Sequence, residues 1–215
     1  MAAQLELVHA APLNLDGDGA RGDHAVIARM VNDGSRVLDI GCGDGALISL
    51  LMHECKARAR GLERDRVAVR ACVARGLAVV QGDAETDLSE FPSGAFEYVI
   101  FSHTLLQLPN PREALKQAGR IGERVIVTVS NAAYWRRRYT LSNSGRTVAA
   151  KNAAWADGDL ERRASIRDFA DLARDMRFNI ETAVPLTQGR PGAPVAKTLW
   201  RANYFAEEAV FLLNP

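Results

Sequence analysis

The sequence predicts an α/β fold: a largely parallel sheet with helices packed on both faces. Three observations carry this. Short apolar runs alternate with segments whose apolar residues recur at helical spacing, from residue 24 to residue 130. The first apolar run leads at once into a glycine-rich loop and a helix. Two late apolar runs are split by a glycine- and proline-rich loop, Gln188 to Pro194. Strands that alternate with helices pair in parallel, and their crossovers bury the sheet on both sides.

The elements follow in order. His24 to Val31 reads as a helix through Val26, Ile27, Met30 and Val31. Arg36 to Ile40 is a short buried strand, and Ala46 to Cys55 a helix with Leu47, Leu50, Leu51 and Cys55 on one face. Ala57 to Glu63 is a second strand, weakened by its arginines. Asp65 to Ala74 is a helix closed by Gly76 at C′. Strands follow at Leu77 to Gln81, Ala95 to Ser102 and Arg124 to Ser130, with a proline-started helix at Pro111 to Gly119. Asn131 to Arg163 is polar and irregular. Ser165 to Met176 is a helix with a Ser165/Asp168 capping pair, and Phe178 to Pro185 and Glu208 to Leu213 are the late strands.

A chain of 215 residues suits one core. Residues 1–22 read as an irregular leader and 23–215 as a single domain, with 131–164 a lid or partner-docking insertion. The net charge of +1 argues against binding long nucleic acid. Cys42, Cys55 and Cys72 form neither a disulfide framework nor a zinc-ligand spacing, so no metal site is expected and a cytoplasmic chain with reduced thiols is the simplest reading. Met1 to Asn14 lacks the pattern of a signal peptide, and no apolar run is long enough to span a membrane.

The loop Gly41-Cys42-Gly43-Asp44-Gly45-Ala46 fits both the dinucleotide fingerprint and the S-adenosylmethionine loop. Asp39 separates the two readings. A carboxylate two residues before the first glycine suits a ligand bearing an ammonium and a sulfonium, and repels a pyrophosphate. This disfavours a nicotinamide-dependent oxidoreductase. Glu63, about 20 residues beyond the loop, is placed to hold ribose hydroxyls. Asp83, with Ala84 beside it, follows the third strand and can accept from an adenine amino group. The candidate cofactor residues are Asp39, Gly41, Cys42, Gly43, Gly45, Glu63, Asp83, Ala84 and Ser102.

Val37-Leu38-Asp39-Ile40-Gly41-Cys42-Gly43-Asp44-Gly45 resembles the first motif of class I S-adenosylmethionine-dependent methyltransferases. That resemblance implies a Rossmann-like sheet of seven strands, the last antiparallel, and S-adenosylmethionine or S-adenosylhomocysteine as the ligand. A narrower resemblance runs through Phe96-Glu97-Tyr98-Val99-Ile100, Ser102-His103-Thr104-Leu105, Val129-Ser130-Asn131, Tyr134-Trp135-Arg136, Ser165 to Phe169 and the tail from Leu199 to Leu213. These segments are similar to those of the methionine-biosynthesis protein MetW family. The family implies assistance to a MetX-like homoserine O-acyltransferase. The chain departs from the pattern at His103, where the family usually has glutamine, and at 152–160, where only Trp155 and Asp157 echo the family's stretch.

Ser102-His103-Thr104 lies where this fold presents the acceptor to the methyl group. His103 reads either as a general base, by its ordinary pKa, or as a packing residue against the cofactor. Tyr134, Trp135 and Arg136 open the Arg136-Arg137-Arg138 cluster, which suits an acidic small-molecule substrate, a phosphate or a partner surface, or else a solvated face. Two functions therefore compete: an S-adenosylmethionine-binding accessory of the acyltransferase, and a methyltransferase acting on an acidic or hydroxyl-bearing small molecule.

Overall fold

The computed structural model describes residues 21–144, 164–195 and 199–215. Its first half alternates as expected. Helix α1 (Gly22–Met30) precedes β1 (Arg36–Ile40), α2 (Ala46–Glu54), β2 (Arg58–Glu63), α3 (Arg66–Ala74) and β3 (Val79–Gln81). Then come β4 (Phe96–Ser102), α4 (Pro111–Ile121) and β5 (Gly122–Ser130). The second half holds α5 (Trp135–Ser144), α6 (Ile166–Asp175), β6 (Asn179–Thr187), β7 (Arg190–Pro191), α7 (Trp200–Phe205) and β8 (Glu208–Asn214).

One mixed sheet runs in the order β3-β2-β1-β4-β5-β8-β6-β7. The first five strands are mutually parallel, and β8 enters antiparallel between β5 and β6. The sheet has eight strands rather than seven. The extra one is the two-residue β7, which pairs with β6 across Gln188-Gly189. Both turn residues have positive φ, +51° and +71°, the geometry that folds a two-residue hairpin tightly.

The arginines that weaken β2 in the sequence point outward. Arg58 and Arg60 are exposed while Ala59 and Gly61 are buried, the period of a strand with one wet face. Side chains cap α3, α4 and α6, Ser165 as the sequence predicts. The Asp65 side chain accepts from Val67 and Ala68 amides, and Asn110 caps α4 ahead of Pro111. The Ser165 Oγ accepts from the Asp168 amide at 3.1 Å while Asp168 accepts from the Ser165 amide at 2.9 Å.

Alternating sheet residues build two cores. Leu38, Val99, Phe101, Val127 and Phe211 pack with α4, α6 and α7. Val37, Tyr98, Ile100, Ile126, Val210 and Leu212 pack with α1 and α2 on the other face. Phe169 of α6 meets Phe211 of β8 at 4.8 Å between ring centroids.

Two expectations need correction. The stretch from Asn131 is not irregular throughout, since α5 occupies its first part; residues 145–163, with the family-divergent 152–160, lie outside the described residues. The first helix also begins earlier than the expected His24. Helix α1 begins at Gly22, and an added Cβ there would collide with the Gly189 carbonyl, so the residue is packed against the β6–β7 turn. Residues 1–20 lie outside the described residues.

Candidate functional site at the carboxyl ends of the strands

The two-residue period of the strands decides which side chains meet. Asp39 shares its face with Val37, Ser102 with Ile100, Thr128 with Ile126 and Glu208 with Val210, so all four face the α1 side of the sheet. They gather at the carboxyl ends of the parallel strands, where ligands bind in open α/β sheets. Helix α1 covers this edge and adds Asp23 from its first turn.

The loop after β1 has three glycines in the left-handed region, Gly41, Gly43 and Gly45 at φ +71°, +56° and +78°. Their surroundings differ. A Cβ on Gly41 would lie 2.5 Å from Thr104 side-chain atoms, and one on Gly45 would strike Leu77, with Cys72 Sγ at 3.0 Å. A Cβ on Gly43 would meet nothing within 4 Å. The loop is therefore packed on two sides and open above Gly43. Cys72 Sγ supports it from below, donating to the Gly43 carbonyl at 3.2 Å, and Cys42 is buried beside it.

Three acids stand at or just beyond the carboxyl ends of three strands: Asp39 in β1, Glu63 closing β2 and Asp83 after β3. Glu63 Oε2 accepts from the Gly43 amide at 2.9 Å and Oε1 from the Asp65 amide at 2.8 Å, which aims the carboxylate at the loop. Asp83 Oδ1 accepts from the Glu85 amide, and its other oxygen lies 3.8 Å from Arg64. Ala84 packs partly buried against the core. Asp39 is 1 % exposed, and its Oδ1 has no hydrogen-bond partner. Burial, then the charge of Glu63, raises its pKa to about 7. An orphaned buried carboxyl beside an open glycine cradle fits a cofactor that brings positive charge to that point.

The end of β4 is a different construction. His103 follows β4 with φ +60°, a strained conformation for a residue with a Cβ. Its Nε2 lies 3.4 Å from Asp23 Oδ2 and 3.2 Å from Glu208 Oε2, and its Nδ1 3.3 Å from Ser130 Oγ. Ser102 Oγ donates to Asp23 Oδ2 at 2.9 Å, and Arg21 chelates the same carboxylate at 3.1 and 3.0 Å. Burial would lower the His103 pKa, but hydrogen bonds to Asp23 and Glu208 outweigh it and raise the pKa to about 9. Burial pushes Asp23 up, and bonds from His103 and Arg21 overcome this and hold it well below the usual carboxylate range. Two carboxylates thus face two cations. Arg21, Asp23, His103 and Glu208, with Gly22 and Gly189, line an open cleft of about 460 Å³.

The sequence foresees His103 and Ser102 here but misses Asp23, Glu208 and Arg21. Asp23 reads as part of a turn-rich start, and nothing in the spacing connects it to His103. Asp23, His103 and Glu208 place ligand-type atoms within 4.8 Å of one another, a grouping that local Cys/His spacing cannot reveal. With His103 protonated and Arg21 on Asp23, the charges balance within the group itself. The expected substrate residues separate. Tyr134 is buried at 6 % exposure, while Trp135 and Arg136 face outward on α5, with the Arg136 guanidinium 5.4 Å from the Trp135 ring centre. His24 is packed and His53 is exposed.

Sheet order, glycine loop and acidic strand ends together define the Rossmann-like fold of class I S-adenosylmethionine-dependent methyltransferases. Solved structures agree. A methyltransferase of Thermotoga maritima, described as a possible histamine N-methyltransferase, matches with TM-score 0.63 and 17 % identity over 89 % of this chain and 86 % of that one. A putative methyltransferase of Haloferax volcanii, solved with the Trm112 activator, matches with TM-score 0.64 and 16 % identity over 90 % and 89 %. At such identities the likeness is one of fold. The family model of the methionine biosynthesis protein MetW matches residues 21–213. The chain belongs to the MetW family.

A bifunctional methionine biosynthesis protein MetXA/MetW of Rhodopirellula baltica is 28 % identical over 173 residues, covering 75 % of this chain and 28 % of that protein. An uncharacterized methyltransferase of Schizosaccharomyces pombe is 35 % identical over 78 residues, 35 % of this chain and 29 % of that one. The chain spans less than a third of the length of either relative. Among the described residues no helix is long and apolar enough to cross a membrane.

Proposed function

We propose that this chain binds S-adenosylmethionine, or its demethylated product, and serves a homoserine O-acyltransferase in methionine biosynthesis as a cofactor-responsive partner. The observation that carries this reading is the contrast between the two halves of the site. The cofactor side has an open glycine cradle and, near the end of β1 just before it, the buried Asp39 carboxyl with Oδ1 unpartnered. The acceptor side has its one candidate base, His103, held as a cation between Asp23 and Glu208. An imidazolium donates protons and takes none, so His103 in this state is not a general base for methyl transfer at neutral pH.

In this reading Asp39 faces the positive end of the cofactor, Glu63 the ribose hydroxyls and Asp83 the adenine, with Gly41, Cys42, Gly43, Gly45, Ala84 and Ser102 shaping the bed. When bound, the cofactor supplies an electrophilic methyl group. The existence of a MetXA/MetW fusion supports association with an acyltransferase, since joining two modules in one chain replaces an encounter with proximity.

Calorimetry of the full chain with S-adenosylmethionine and S-adenosylhomocysteine tests the first part. Acyltransferase assays with and without the chain and the cofactor test the second. Lack of cofactor binding, or acyltransferase rates indifferent to the chain, refutes the corresponding part.

A second reading, methyl transfer to an acidic or hydroxyl-bearing small molecule, draws on the 460 Å³ cleft, a volume suited to a small molecule. It requires an acceptor that releases His103 from its carboxylates. Turnover against a panel of small acids and alcohols tests it; turnover unchanged by His103→Ala would remove His103 as the base.

A further inference from the structure

Helix α5 is exposed at every described position from Trp135 to Asn143. A helix with no buried face, yet bearing Trp135, Tyr139 and Leu141, lacks the packing that normally stabilises helices. Helix α7 shows Trp200, Tyr204 and Phe205 to solvent and buries only Ala202. These six are the majority of the large apolar side chains exposed among the described residues. Arg138 joins the two helices, its guanidinium 5.7 Å from the Tyr204 ring centre, and Arg201 lies 5.9 Å from that of Trp200.

The two helices carry positive charge only. Neither helix contains Asp or Glu, and no carboxylate among the described residues pairs with Arg136, Arg137, Arg138 or Arg201. Arg136, Arg138 and Arg201 thus each lie within 6 Å of the centre of an aromatic ring of these helices. Arginine stacked on tryptophan and tyrosine is held ready for bidentate carboxylate recognition, and these residue types dominate interface hot spots.

We propose that the α5–α7 face is the docking surface for the acyltransferase partner, which meets it with a patch of carboxylates around apolar pits. This rests on the partner reading given above. The weak overall charge and the large apolar area favour a protein over nucleic acid, whose binding depends on phosphate neutralisation.

The face is anchored to the cleft. Buried Asn131 donates through Nδ2 to the Asn203 and Ala206 carbonyls of α7 at 2.9 and 2.8 Å, and its Oδ1 accepts from the Ala133 amide at 3.0 Å. The neighbours of these anchors, Ser130 and Glu208, hold His103.

The test is biolayer interferometry of the full chain against the purified homoserine O-acyltransferase of the same genome, at two salt concentrations. A short labelled RNA is run in parallel, and melting curves check folding. Arg136→Glu with Arg201→Glu, and separately Trp200→Ala, are expected to weaken acyltransferase binding by at least about tenfold. Arg70→Glu, on exposed α3, is expected to leave it unchanged. If the wild type binds and both face variants bind as tightly, the docking surface is refuted while the partner reading stands. If the wild type does not bind the acyltransferase, both fail. RNA binding that the double variant abolishes, without acyltransferase binding, makes the face a nucleic-acid site and overturns the proposal.

Discussion

Asp39→Asn should move stability and cofactor affinity in opposite directions. The carboxyl is fully buried and its pKa is raised from 3.8 to about 7. A raised carboxyl pKa means that this group's stability contribution is complete below about pH 4 and is lost as pH climbs through 7. The shift of about 3 units sets an upper bound of about 4 kcal/mol on the cost of holding the charge at pH 8. Asparagine removes the charge and leaves an amide that itself needs partners, at roughly 1–3 kcal/mol. The ligand-free variant should therefore fall below the wild type by about 1–3 kcal/mol near pH 4 and exceed it by about 1–3 kcal/mol at pH 8, read by urea unfolding. Binding should go the other way. Losing a hydrogen bond to a charged group costs about 1.5–3 kcal/mol, so S-adenosylmethionine should bind roughly 10- to 150-fold more weakly. Wild-type affinity should also drop as pH falls below 7, by at most about tenfold per unit, while the variant's profile stays flat. A variant that binds the cofactor as tightly as the wild type, or that is less stable at pH 8, would refute the role given to this carboxyl.

Gly43→Ala places its Cβ in open space and adds only left-handed strain of about 1–2 kcal/mol, so it should fold and lose cofactor binding; Gly45→Ala collides with Leu77 and should lower the melting temperature sharply. Circular dichroism with calorimetry separates the two. For His103→Ala, the raised pKa means the lost stabilisation is complete below about pH 6.5 and disappears as pH rises through 9; below about pH 4 it weakens as Asp23 begins to protonate. Urea titrations should show a difference of about 1–3 kcal/mol between pH 4 and 6.5 that closes by pH 10. Asn131→Ala strands the carbonyls that cap α7 and should cost about 2–4 kcal/mol, with faster hydrogen exchange in residues 200–206.

The parallel half of the fold was legible because burial writes periodicity into sequence. Strands β1, β4 and β5 are apolar runs, and the loop after β1 carries its glycines where φ must be positive. Helix α5 left no such trace because it buries none of its described residues from Trp135 to Asn143, and α7 and β7 are too short for a period to emerge. The positions of Asp39, Glu63 and Asp83 at the ends of successive strands were legible, since strand and loop alternate in a fixed order. The cluster around His103 was not. It joins a helix start, a strand end and the first residue of β8, and only the folded sheet order brings these together.

The three buried cysteines carry a consequence for handling the protein. Cys42, Cys55 and Cys72 are all buried, and burial pushes every thiol pKa upward, that of Cys55 to about 11. Alkylation requires thiolate and access, and the native fold offers neither. Ellman's reagent should therefore report opening of the fold rather than a reactive site. A single cysteine placed at exposed Trp200 would label selectively over the native thiols, giving a fluorescent reporter on the α7 surface without first removing any native sulfur.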